Sequence, residues 1–327
     1  MNYIKMSPLA GLTGYGGGSS SLVAVSSGPT GDQLGDRAII GGGRHGSGSL
    51  TYHDATDYFS ISNITNATDF GNLTVARSQL SSCSNGTLAF FTGGWNGSSN
   101  WNTIDYYTVA NTGNGTDYGD LTVARRGGAT TESTTRAVHG GGNDFNTTMD
   151  YFDISTTSGN ATDFGDLSDG RESSGATSNM VRGVWVGGYD EKDVMDYVAI
   201  ATTGNATDFG NLTEGRIWPK GMTNNTRGVF AGGSGSTYEN QTATIDYITI
   251  DTTGNATDFG DLPAARKTFG TASDGTTGVM AGGYNQTQGN YFDGIWKLTI
   301  DTAANATDTS TSLANPDRGY MTGCSGD

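Results

Sequence analysis

Short apolar runs bounded by glycine and polar turn residues fill the chain from Arg37 onward. Some alternate: Ile245, Tyr247 and Thr249 fall on one face, Asp246, Ile248 and Ile250 on the other. Others are continuous, such as Gly278-Val279-Met280-Ala281 before a glycine pair. Period-two alternation with β-branched and aromatic content predicts strands, and no segment keeps a helical period.

The pattern repeats. The phrase Asn-Ala-Thr-Asp-Phe-Gly-Asp/Asn-Leu recurs with small changes, its Asp at Asp69, Asp117, Asp163, Asp208, Asp258 and Asp308. Arg77, Arg125, Arg171, Arg216 and Arg266 each follow by eight residues, and Arg318 by ten. A glycine pair marks a third point, from Gly42-Gly43 to Gly282-Gly283. Asp-Tyr marks a fourth, from Asp57-Tyr58 to Asp246-Tyr247, with Trp296-Lys297 in the last copy. Four strands in each unit of about 45–50 residues is the pattern of a propeller blade, and six copies predict six blades. The first strand is expected to start at the Arg, as in Arg266–Ser273. A solenoid is disfavoured because no capping repeat flanks the array.

The ends predict closure. Arg318–Ser325 aligns with Arg266–Ser273, whereas the first copy begins at its second strand, Arg37–Ile40. The C-terminus therefore supplies the missing inner strand of blade 1, pairing edges that would otherwise stay open. Residues 35–327 form the propeller in this reading, and residues 1–34 an extended N-terminal arm.

Composition narrows the function. Of 327 residues 53 are Gly, yet 15 Tyr, 12 Phe and 5 Trp supply a core. A net charge of −16 disfavours nucleic acid and anionic membranes. No apolar run reaches the roughly 20 residues of a membrane helix. Residues 1–18 lack the apolar stretch of a secretory signal. Two cysteines, Cys83 and Cys324, fall at equivalent inner-strand positions of neighbouring blades. Both are expected to be free, buried thiols, because such strands stand farther apart than a disulfide accepts. With only three histidines, no metal site or cofactor is expected.

The glycine pair ending the second strand, the aromatic in the third and the Arg opening the next unit resemble the kelch repeat. Phe70, Tyr118, Phe164, Phe209 and Phe259 stand where kelch repeats carry Trp. The phrase Thr-Thr-Gly-Asn-Ala-Thr-Asp-Phe-Gly-Asp-Leu and the start Ser7-Pro8-Leu9-Ala10-Gly11-Leu12 are similar to kelch-like structural proteins of marine tailed bacteriophages. That resemblance implies a virion component: a surface-exposed decoration, fibre or knob on capsid or tail. Its partners would be other virion proteins, with homo-oligomers on the particle. The alternative is a secreted carbohydrate-binding or sialidase-like propeller.

Ten of the 12 arginines occupy repeat positions, which marks them as structural, bridging Asp. Fifteen Asn-X-Ser/Thr sequons, such as Asn160, Asn205 and Asn255, follow from the repeat composition rather than from glycosylation. Gly16–Gly18 lacks the context of a phosphate loop. The acidic turn Asp190–Asp193 lacks calcium-loop spacing. Neither sialidase boxes nor a copper-radical constellation occurs, and with five glutamates no enzyme is expected.

Irregularity concentrates in six loops between glycine pair and third strand, 44–56, 95–104, 143–149, 189–195, 234–245 and 284–295. All leave the ring on one face. They carry Tyr52, Trp95, Trp101, Phe145, Tyr189, Tyr238, Tyr284 and Tyr291, suited to stacking on sugar rings of host-surface glycans. In the arm, Tyr3, Ile4, Leu9, Leu12 and Tyr15 are the expected partner anchors.

Overall fold

A computed structural model describes residues 34–327, apart from 47–48, 191, 236–239 and 316. Tyr3, Ile4, Leu9, Leu12, Tyr15 and Tyr238 lie outside the described residues. Six four-stranded antiparallel sheets form a closed β-propeller, with no helix among the described residues. The inner strands Thr322–Gly326, Ser81–Ser84, Ala129–Glu132, Gly175–Ser178, Lys220–Thr223 and Gly270–Ser273 neighbour one another in that order around the axis.

Closure runs as the repeat predicts. Thr322–Gly326 pairs with Arg37–Gly41, Ile39 opposite Cys324, and completes blade 1. The Asp36 amide donates to Asp327 Oδ1 at 3.0 Å, fastening the seam. One expectation is corrected: the first strand does not start at the Arg. In blade 6 it begins at Gly270, four residues after Arg266. The intervening residues cross the top of the ring instead. There Gln79, Gly127, Ser173, Trp218, Thr268 and Tyr320 all have positive φ, 56–69°. That backbone turns away from a strand path.

The reason is the arginine. Arg77, Arg125, Arg171, Arg216 and Arg318 pair with Asp105, Asp150, Asp196, Asp246 and Asp57 on the third strand of the same blade, at 2.5–2.9 Å. All ten side chains are at most 1% exposed. The guanidinium also donates to backbone, as from Arg216 to the Thr244 and Gly232 carbonyls at 2.7 and 3.3 Å. The second carboxylate oxygen accepts from Thr74, Thr122, Ser168 or Thr213 at 2.5 Å, or from the Asn315 amide at 2.6 Å. Burial still opposes ionisation, pushing Asp57 and Asp246 up and Arg216 and Arg318 down. The hydrogen bonds offset that desolvation. In blade 6 two partners change together. Trp296 replaces the Asp, Pro263 replaces the hydroxyl residue, and Arg266 lies 3.5 Å from the Trp296 ring centroid. A cation–π contact stands in for the ion pair.

A second arginine set joins blade to blade. Arg37, Arg136, Arg182 and Arg227 stack over Tyr58, Tyr151, Tyr197 and Tyr247 at 4.3–5.0 Å. Each donates to a carbonyl of the next blade: Val109, Ile200, Ile250 or Ile300.

The repeated phrase clasps the rim. Outer-strand amides of Asn72, Asp120, Asp166, Asn211 and Asp261 donate to Oδ1 of Asn114, Asn160, Asn205, Asn255 and Asn305 in the following blade, at 3.0–3.1 Å. A Cβ at Gly119 would sit 2.1 Å from the Gly159 carbonyl, so that close approach requires glycine. Each outer edge is thereby covered by its neighbour.

Removing Arg318–Asp327 takes away an inner strand and one clamp together. The expected outcome is loss of cooperative unfolding by calorimetry, with exposed apolar surface detected by dye binding. A truncated chain that melts as the full chain does contradicts closure by this strand.

Candidate functional site

The axial mouth on the loop face is built by three residues from each blade. Two directly follow the repeat Arg; the third follows the glycine pair. Short bridges join them: Ser78 with Trp95, Ile217 with Ser234, Lys267 with Tyr284, and Gly319 with Arg44. The positive-φ residues link tangentially. Gln79 N–H donates to the Tyr320 carbonyl at 3.0 Å, Gly127 to Gln79 at 2.8 Å, Ser173 to Gly127 at 2.6 Å and Trp218 to Ser173 at 2.7 Å. This garland fixes the backbone without using a side chain. The side chains are then free to differ, and they do: Ser-Gln, Arg-Gly, Glu-Ser, Ile-Trp, Lys-Thr and Gly-Tyr follow the six arginines.

They enclose a cavity of about 410 Å³ lined by Arg44, Gln79, Arg126, Glu172, Ser173, Trp218, Gln286 and Tyr320. That volume falls within the roughly 300–1,000 Å³ of small-ligand sites. Trp218 and Tyr320 meet edge to face at 5.5 Å. Arg44 stacks 4.0 Å from the Tyr320 ring centroid and 5.9 Å from that of Trp95; Arg126 lies 5.3 Å from Trp95 on its own account. The two guanidiniums therefore both lie within 6 Å of one indole. Arg126 pairs with Glu172 at 3.5 Å, and burial pushes the Glu172 carboxyl up. Among the described residues, no carboxylate lies within 4 Å of Arg44, whose Nε is buried without an acceptor. Lys267 stacks on Trp218 at 5.0 Å; burial and the Arg44 charge push it down to about 8.

The aromatics expected from the loops are partly gathered here. Trp95 stands near both arginines, with Tyr52 edge-on at 5.5 Å. Tyr189 packs against Ile217, Trp218 and Tyr320. Tyr284 and Tyr291 pair at 4.6 Å. Phe145, one of the few exposed large apolar side chains, sits farther along Tyr189 at 5.9 Å. Trp101 is half-buried in its own loop, its backbone bonded to Gly94 and Arg125. Sequence reasoning passed over Arg44, Arg126, Glu172, Trp218, Lys267 and Tyr320. One signal marked them: Arg44 and Arg126 are the two arginines outside the repeat positions, and the dipeptide after each repeat Arg never recurs.

Below the garland lies a second cavity of about 100 Å³ on the axis, walled by inner-strand Ser, Thr and Gly, with Leu34 among its lining residues. Cys83 and Cys324 line it as free, buried thiols, as their repeat positions predict, and burial pushes both up. Glu132 and Lys220 also line it. They keep some access to cavity solvent but lie deep among protein atoms, which pushes Glu132 up to about 8 and Lys220 down to about 8. His139 is buried against Thr92 and Thr130 at 3.0 and 2.9 Å, while His45 and His53 meet at 2.6 Å on the rim.

No family model matches the chain, and no curated protein matches it.

The two axial groups set opposite slopes of stability against pH. Between about 4.5 and 8 the folded chain keeps the Glu132 proton that the unfolded chain loses, so stability falls as pH rises. Between about 8 and 10.5 the unfolded chain holds a Lys220 proton that the folded chain has lost, so stability rises. Glu132→Gln is therefore expected to gain in denaturation midpoint over the wild type progressively from pH 4.5 to 8, then hold that lead. A midpoint difference that stays flat across this window contradicts the buried, protonated Glu132.

Proposed function

We propose that this chain is a non-enzymatic structural protein of a bacteriophage virion. In this reading it is a propeller displayed on capsid or tail, and its loop face recognises a host-surface glycan. The observation that carries the recognition half is the division of labour in the repeat. Buried charges and amides are committed to clamps and clasps, while unrepeated side chains converge on one cavity at the axis. Indole and phenol faces beside guanidinium donors suit sugar rings, whose C–H faces stack and whose hydroxyls accept hydrogen bonds. The virion half rests on the resemblance of the repeated phrase to phage kelch-like proteins. Residues 1–34 lie outside the repeat and supply the attachment segment, with Tyr3, Ile4, Leu9, Leu12 and Tyr15 as its anchors.

Two measurements test this reading. Mass spectrometry of purified particles is expected to find the chain, with imaging placing it on the exterior; absence from the particle refutes the virion role. Deleting residues 2–30 is expected to abolish incorporation while the ring still melts cooperatively. Unchanged incorporation refutes anchoring by the arm.

A further inference from the structure

The mouth runs against the charge of the molecule. A chain of net charge −16 places Arg44 and Arg126 on one cavity wall, with Lys267 behind its Trp218. Among the described residues Glu172 is the one carboxylate lining the cavity, already engaged by Arg126 and weakened by burial. Arg44 is held by aromatic faces rather than by an acid, those of Tyr320 and Trp95, whereas Arg126 lies near Trp95, pairs with Glu172 and donates to Asn100 Oδ1 at 3.1 Å. Stacking of this kind leaves the N–H edge of a guanidinium available, and that edge matches the paired oxygens of a carboxylate or sulfate. Bringing like charges together in a partly buried wall is costly unless an anion joins them. The two arginines outside the repeat positions, Arg44 and Arg126, both lie at this mouth, while the repeat arginines are consumed in clamps and stacks.

We propose that the axial mouth binds an acidic sugar, with its carboxylate or sulfate held by Arg44 and Arg126 and its ring packed on Trp218 and Tyr320. This rests on the loop face being the recognition face and specifies the chemistry it selects. The acid group accounts for Arg44, which has no carboxylate partner among the described residues, and the ring for Trp218 and Tyr320 in the cavity lining. The strong negative charge elsewhere on the chain disfavours anions that lack such a seat, which gives the site its selectivity.

The test uses the full chain and three probes that share one core: lactose, 3′-sialyllactose and a 6-sulfated lactose, titrated calorimetrically at low salt. At least one acidic probe is expected to bind tenfold or more tightly than lactose, and its affinity to fall as sodium chloride is raised. The two acidic arms separate carboxylate from sulfate selection. Arg44→Gln and Trp218→Ala are each expected to weaken that probe fivefold or more, with unchanged melting confirming the fold. If a variant melts early, the salt dependence of the wild type still decides. Equal binding of lactose and both acidic probes, without salt dependence, overturns the acidic-sugar assignment while leaving glycan recognition standing. Binding of none of the three overturns the assignment, and recognition is then judged by whether the purified chain blocks particle adsorption to host cells.

Discussion

An arginine buried against an aspartate at the head of a blade is the constraint on which the rest of the molecule depends. Desolvating both groups costs several kcal/mol per ion by general estimates. It is offset because the guanidinium reaches carbonyls as well as the carboxylate, as Arg216 does with Gly232, Thr244 and Asp246. The clamp gathers three pieces of chain that are distant in sequence. These are the linker from the previous outer strand, the end of the second strand and the middle of the third. Because the preceding Thr or Ser contacts the same carboxylate, the linker is fixed on both sides of its turn.

From that fixed point the chain has few ways to reach the inner strand. It crosses the top of the ring in a left-handed turn, whose amide at Gln79, Gly127, Ser173 and Trp218 bonds to the neighbouring blade. Non-glycine residues in that region carry a cost of order 1 kcal/mol each, and five of the six accept it. Their garland of backbone bonds defines the floor of the mouth. The garland itself uses no side chain, so residues as unlike as Gln79, Ser173, Trp218 and Tyr320 share one backbone shape. The same separation appears at the rim, where the clasp uses backbone amides and Asn side chains and leaves the phrase almost unvaried.

Much of this was readable from the residues, because repetition reports architecture directly. The spacing of Arg, glycine pair and Asp-Tyr predicted six blades, and the unmatched Arg318–Ser325 predicted the seam, which the pairing of Ile39 with Cys324 bears out. The strand start was misread because Arg266 looks like the first residue of a strand, while its guanidinium is spent on Trp296 and its successors turn across the ring. For the mouth, loop length and aromatic content located Trp95, Tyr189 and Tyr284. Trp218 and Tyr320 escaped because they sit within a segment of constant length. Convergence in space of Arg44 and Arg126, 82 residues apart in sequence, required the ring.

The most direct measurement is a double-mutant cycle on one clamp, followed by denaturant unfolding. If Arg125 and Asp150 act as a buried unit, Asp150→Ala alone should cost about 3–5 kcal/mol by stranding the guanidinium. Arg125→Ala with Asp150→Ala should then cost clearly less than the sum of the two single changes. A cost below about 1 kcal/mol for Asp150→Ala, or additive single and double effects, would contradict the clamp as the element that organises the five blades carrying it.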